Sequence, residues 1–264
     1  MRPLALVSVA LGPMLAVAVG VAVPAAATVQ NYVALGDSYS SGVGAGSYLA
    51  GSGGCERSAK AYSALWAKAN SPTSYVSVAC SGAKTSDVIA TQLPALHAST
   101  TLVSLTIGGN DEGFATIMTD CNLRGTSTCV REISAAETDA GTNLPRKLAR
   151  VFAGIASRAP NAHVVLLGYP RFYDLGHDCV GLSQTSRAKI DEGIDVLDAI
   201  LAQAAADAGV TYADVRGAFG GHEICDDQRW LHSVNIFDLD ESYHPTATGQ
   251  AQGYLAVFSA AARD

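Results

Sequence analysis

The stretch Tyr32-Val33-Ala34-Leu35-Gly36-Asp37-Ser38-Tyr39-Ser40-Ser41-Gly42 decides how the rest of the chain is read. Apolar residues run into Gly36, too few for a helix but dense enough for a short buried strand. Gly36-Asp37-Ser38 then breaks the run, and small residues follow. A strand that stops in a tight turn leaves its last side chains at the carboxyl edge of a sheet, where open α/β sheets bind ligands. A serine hydroxyl there, among backbone N–H groups, is placed to act as a nucleophile. Gly, Asp and Ser are also ordinary turn formers, so this short match gains weight only from what lies downstream.

Four further apolar runs follow, at residues 75–79, 101–107, 163–168 and 210–213. Helical spacing fills the intervals. Tyr62, Leu65, Trp66 and Ala69 mark residues 59–69, and residues 85–96 form a helix capped by Thr85 or Ser86. Leu144, Leu148, Val151, Phe152 and Ile155 line a helix over 144–156 that Pro160 ends. Ile190, Ile194, Leu197 and Leu201 line a long one over 183–208, closed by Gly209. Pro245 opens a last helix at a first-turn position. Residues 112–142 carry Cys121 and Cys129 without a strong period. They read as a partly helical excursion stapled by a local disulfide. Residues 42–54, 169–182 and 216–240 read as loops. The alternation of strand and helix, with strands apolar on both faces, specifies one three-layer α/β/α domain around a five-stranded parallel sheet.

The first residues do not belong to that domain. Arg2, an apolar run over 4–23 and Ala25-Ala26-Ala27 make a signal peptide over residues 1–27. Gly12, Pro13 and Gly20 interrupt the run, and no positive flank follows it, so it is not a membrane anchor. Cleavage after Ala27 leaves residues 28–264 as a single domain of 237 residues, secreted to the extracellular space. With Arg2 removed, 16 basic residues face 24 acidic ones, a formal charge of −8. Such a surface repels nucleic acid and offers no polybasic patch for anionic lipid. The expected form is a monomer without an integral membrane segment. Six cysteines lie in the exported part, which favours disulfides. Of fifteen pairings, pairing in chain order (Cys55–Cys80, Cys121–Cys129, Cys179–Cys225) is the simplest. No Cys-x-x-Cys occurs to suggest a metal site.

Three consecutive strand ends carry a small or polar group: Ser38, Gly82 and Asn110. A parallel sheet brings them to one edge. There the Ser38 N–H, the Gly82 N–H and the Asn110 side-chain amide can converge on an oxyanion. Among six histidines, His244 alone precedes a proline, which holds its backbone extended on a fixed loop before a helix. His97, His163, His177, His222 and His232 read as surface or structural residues. The run His222-Glu223-Ile224-Cys225-Asp226-Asp227 looks metal-like, but assigning Cys225 to a disulfide discounts it. Asp238, Asp240 and Glu241 read as a solvated loop rather than a cation site.

Gly36-Asp37-Ser38-Tyr39, Gly82, Gly108-Gly109-Asn110-Asp111 and Ser242-Tyr243-His244-Pro245 resemble the four ordered blocks of the GDSL lipase/esterase, or SGNH hydrolase, superfamily. The extended first block, the signal peptide and the six cysteines are similar to secreted actinobacterial members of it. The resemblance spans Ser38 to His244 and implies a flavodoxin-like fold, sequential disulfides and ester hydrolysis without a metal or cofactor. It also implies Ser38 as nucleophile, His244 as general base, and Gly82, Asn110 and the Ser38 N–H as oxyanion hole. Tyr39 replaces the usual Leu, a change expected to matter little. The family's acid lies three residues before the histidine, here Glu241, one methylene longer than the usual Asp. Glu241 is the favoured third member, with the Ser242 carbonyl as the alternative. The expected activity is lipase or esterase action on lipid or other acyl esters. A phospholipase A acting on glycerophospholipids is the nearest alternative, followed by a carbohydrate acetyl esterase and a secreted protein without catalysis.

Overall fold

The five apolar runs form the strands β1 (Asn31–Ala34), β2 (Ser74–Ser77), β3 (Leu102–Leu105), β4 (His163–Leu167) and β5 (Thr211–Ala213). The structure is a computed structural model and describes residues 30–235 and 238–263. The signal segment expected over 1–27 lies outside the described residues. All strand pairs are parallel, in the order β2-β1-β3-β4-β5. Every residue of β3 is buried, as a strand covered on both faces requires. At the edge, β2 exposes alternate residues, with Val76 47% accessible.

Helix α1 (Ser38–Ser41) is a single turn, and α2 (Tyr62–Asn70) follows it. On one face of the sheet, Tyr32 of β1 packs its ring against Trp66 of α2 and Phe258, at centroid distances of 5.3 and 5.5 Å. Phe258 belongs to α8 (Leu255–Ala261), which continues a wide turn over Gly249–Tyr254. The other layer holds α5 (Thr126–Arg158) packed along α6 (Gln184–Ala208). The chain thus runs outward from β1 to β2, then crosses back over β1 to β3. This reversal opens a crevice between the carboxyl ends of β1 and β3.

Four local readings are corrected. Residues 112–142 are not a partial excursion: α4 (Phe114–Arg124) and the 33-residue α5 fill most of them, and α5 continues through the helix expected at 144–156. The Cys121–Cys129 disulfide closes the α4–α5 corner. Residues 85–96 are helical only in their first turn, α3 (Thr85–Asp87), and then widen at Val88–Gln92 and tighten at Leu93–Ala95. Neither Thr85 nor Ser86 caps this segment, because Thr85 gives its N–H and hydroxyl to Asp111. Pro245 does not open the last helix. It bridges to Leu231, and the Thr246 N–H is held by the Trp230 carbonyl at 2.8 Å, so helical turns begin later. A short α7 (Arg216–Phe219) interrupts the loop expected over 216–240. The other two disulfides join Cys55 to Cys80 and Cys179 to Cys225.

Candidate active site

Gly36 carries β1 into the turn with φ +115°, and a Cβ there would lie 2.4 Å from the Thr106 carbonyl oxygen. Only glycine fits. The Gln92 side chain clamps this residue from both sides: its Oε1 accepts the Gly36 N–H at 2.7 Å and its Nε2 donates to the Gly36 carbonyl at 2.9 Å. Asp37 then caps α1, its Oδ1 accepting the Tyr39 N–H at 3.1 Å and the Thr106 hydroxyl at 2.6 Å. The Tyr169 hydroxyl donates to its other oxygen. Burial pushes the Asp37 pKa up to about 6.

This fixed turn holds Ser38 at the foot of α1, 6% exposed. Its Oγ lies 2.7 Å from Nε2 of His244, 206 residues downstream. Nδ1 of His244 lies 3.0 Å from the Ser242 carbonyl oxygen. A carbonyl can only accept, so Nδ1 carries the proton and Nε2 presents its lone pair to the Ser38 hydroxyl. Burial lowers the His244 pKa to about 4. The imidazole is therefore neutral, and a base, at any pH well above that.

Glu241 is not brought to this imidazole. Its side chain accepts the Tyr48 hydroxyl at 2.9 Å, while its backbone carbonyl accepts the His244 N–H at 3.1 Å. The tight turn over Leu239–Glu241 engages the backbone with His244, and the longer side chain goes to Tyr48. Glu241 was the favoured third member, with the Ser242 carbonyl as the alternative; it is the Ser242 carbonyl that lies beside Nδ1. Asp238 and Asp240 beside it are exposed.

The His244 loop is fastened from several directions. His232 exchanges backbone hydrogen bonds with it, donating its N–H to the His244 carbonyl at 2.9 Å and accepting the Tyr243 N–H at 3.0 Å. Tyr243 adopts φ +67°, a conformation that costs a residue with a side chain about 1–2 kcal/mol. The Tyr39 hydroxyl donates to the Tyr243 carbonyl at 2.7 Å, and the Tyr39 ring packs 4.9 Å from that of His244. Tyr39 was expected to matter little. Its side chain ties the Ser38 turn to the His244 loop. Sequence reading also missed Gln92, Thr106 and Tyr169, whose only signal was a polar group in a buried setting.

Across the crevice, Asn110 follows β3. Its Nδ2 donates to the Ala83 carbonyl at 3.1 Å, which leaves the second amide hydrogen to point elsewhere. Asp111 accepts the Thr85 N–H at 2.8 Å and hydroxyl at 2.7 Å. These bonds lock the loop of Asn110 to the loop of Gly82, which turns with φ +74°. Ser38 and Asn110 share one pocket with Phe114, Tyr169 and Phe172. Through Gly109, Phe114, Phe172, Ile194 and Leu197 it adjoins a second, almost wholly apolar cavity of about 80 Å³ between α4, α5 and α6. Trp230 contributes no platform here, because it stacks on His222 at 3.6 Å.

Residues 34–252 match the family described as GDSL-like Lipase/Acylhydrolase. The chain is 53% identical over 256 residues to a protein named Lipase 1 from Streptomyces coelicolor, covering 94% of this chain and 96% of that one. Among solved structures, phospholipase A1 from Streptomyces albidoflavus superposes with a TM-score of 0.87 at 52% identity, covering 88% of this chain and 99% of that one. An extracellular lipase from Streptomyces rimosus superposes with a TM-score of 0.86 at 54% identity, with the same coverage.

Proposed function

The chain belongs to the GDSL-like lipase/acylhydrolase family, and from that premise we propose that it hydrolyses carboxylic esters of lipids through an acyl-enzyme formed on Ser38. The observation that carries the reading is the 2.7 Å contact between Ser38 Oγ and a neutral, correctly tautomerised His244, at the mouth of an apolar cavity. His244 Nε2 takes the hydroxyl proton as Oγ attacks the ester carbonyl. The Ser38 and Gly82 N–H groups and the Asn110 amide receive the oxyanion. His244 returns the proton to the leaving alcohol, which departs and leaves the acyl group on Oγ. It then deprotonates a water that attacks this ester, and the carboxylic acid leaves as Oγ regains its proton. The Ser242 carbonyl holds the imidazole tautomer and stabilises the transient imidazolium.

The apolar cavity beyond Phe114 and Phe172 takes the acyl chain, whose burial favours binding by about 0.8 kcal/mol per methylene. This supports lipid esters over acetylated sugars. Two relatives named lipase and phospholipase A1 are about equally similar to the chain, so glycerides and glycerophospholipids are both within the reading. Export is supported by the N-terminal run, three disulfides and a relative described as extracellular. The protein acts as a secreted monomer. A panel of glycerides, phospholipids and acetylated sugars tests the assignment. Long or medium acyl chains are preferred, and Ser38→Ala removes turnover on all of them by about 10⁴-fold or more. Undiminished hydrolysis by Ser38→Ala, or a preference for acetyl groups, contradicts it.

A further inference from the structure

Away from the nucleophile, the segment following β4 meets the segment following α7. A parallel bridge joins Tyr173 to Ile224, and the Asp174 N–H donates to the Ile224 carbonyl at 3.1 Å. The Cys179–Cys225 disulfide joins the same two segments a few residues on. Beside these two ties stand Asp174, His177 and Asp226, each offering one donor atom, all within 4.8 Å of one another.

His177 and Asp174 already pair, and Asp226 is left over. Nδ1 of His177 contacts Asp174 Oδ2 and lies 3.9 Å from Asp226 Oδ1. The Asp226 side chain is only 10% exposed, and its Oδ2 is buried without a hydrogen-bond partner. An unpaired oxygen of a buried carboxylate is costly, and packing further carboxylates beside it adds repulsion. Arg187 donates from Nη1 to the His177 carbonyl at 3.1 Å. A divalent ion at this point answers each of these features.

We infer that Asp174, His177 and Asp226 form a divalent transition-metal site of the zinc type, pinning the two segments beside the Cys179–Cys225 disulfide. One imidazole nitrogen and two carboxylate oxygens are a common zinc donor set, whereas calcium takes oxygen ligands. Three protein donors leave a fourth position for water. Bonds of about 2.0–2.2 Å put tetrahedral donors about 3.4 Å apart, so Asp226, whose Oδ1 lies 3.9 Å from His177 Nδ1, must close on the other two as the ion binds. The ion takes the place of the proton between His177 Nδ1 and Asp174, so binding weakens in acid. The run around Cys225 looked metal-like in the sequence and was discounted for its cysteine. Its cysteine is indeed consumed by a disulfide, but Asp226 finds its partners some fifty residues earlier, where no sequence spacing reveals them.

The test is calorimetric titration of the metal-free whole protein with zinc chloride, with calcium chloride in parallel. One zinc equivalent binds the wild type. His177→Ala and the isosteric Asp226→Asn each weaken binding at least tenfold, whereas the remote His97→Ala leaves it unchanged. At zinc about 100-fold above its Kd, the wild-type melting temperature rises by roughly 5–10 °C, and that shift is lost in both variants. Circular dichroism confirms that the variants are folded. Absence of zinc binding up to 100 μM, zinc binding that survives both substitutions, or calcium binding as tight as zinc at these residues overturns the inference.

Discussion

Ser242 contributes a carbonyl where a carboxylate was expected, and the consequences are measurable. Glu241 is engaged by Tyr48, 193 residues away in the chain, so its charge does not hold His244. Glu241→Gln therefore lowers kcat/KM less than about threefold, whereas loss of a functioning triad carboxylate costs orders of magnitude. Asn110→Ala, by contrast, removes one oxyanion donor and lowers kcat by about 10²–10³-fold without raising KM comparably. The buried imidazole also sets the acid limit. With its pKa lowered to about 4, His244 stays neutral as pH falls through the usual histidine range. The acidic limb of kcat/KM on a soluble ester is thus centred near pH 4. A limb centred near 6.5 contradicts the buried, carbonyl-held histidine. That Ser38 and His244 would meet was legible in sequence, because one ends a buried strand and the other precedes a proline. The choice between Glu241 and Ser242 was not, since a contact with distant Tyr48 decides it.

Helix α5 shows how element boundaries escape a reading of pattern. The five strands were legible, because apolar runs bounded by turn residues have few other readings. The 33 residues of α5 were not, although Cys129, Ile133, Ala140, Leu144 and Leu148 form its buried stripe. Small and polar residues dilute that stripe in its first half, and Pro145 is more usual in a first turn than in mid-helix. Pro145 sits on the exposed face, where bending and solvation accommodate the carbonyl it cannot bond. Pro145→Ala supplies the missing N–H and stabilises by about 1–2 kcal/mol after the entropy gained by the unfolded chain. The melting temperature then rises by roughly 2–6 °C. The turn after β1 has the opposite tolerance. Gly36→Ala meets the Thr106 carbonyl and a left-handed φ together, and it destabilises by about 2–4 kcal/mol or prevents folding.

Over the whole molecule, buried acids govern how stability responds to pH. Burial raises the pKa of Asp37 to about 6 and those of Asp191, Asp198 and Glu112 to about 7. Between their unfolded and folded values, the folded state holds more protons than the unfolded chain. Their contribution therefore falls as pH rises from about 4 to 7. His244 opposes this, since its lowered pKa makes stability fall as pH drops from about 6.5 to 4. Joined by Asp226, whose pKa burial raises to about 6, these carboxyls outweigh one imidazole, so the melting temperature is higher at pH 5 than at pH 8. An unchanged or inverted order contradicts the count.

Each scale converges on one hydroxyl: the clamped glycine turn, the strand order that opens the crevice, and the dry setting that keeps His244 neutral all serve Ser38. The most direct measurement is labelling with a medium-chain alkyl phosphonate ester that carries a good leaving group, followed by peptide mass spectrometry. The account predicts one equivalent of adduct on the peptide containing Ser38, formed in step with loss of hydrolysis, slowed by orders of magnitude in His244→Ala and absent in Ser38→Ala. A protein that hydrolyses lipid esters yet carries no adduct at Ser38, or carries it elsewhere, contradicts the account.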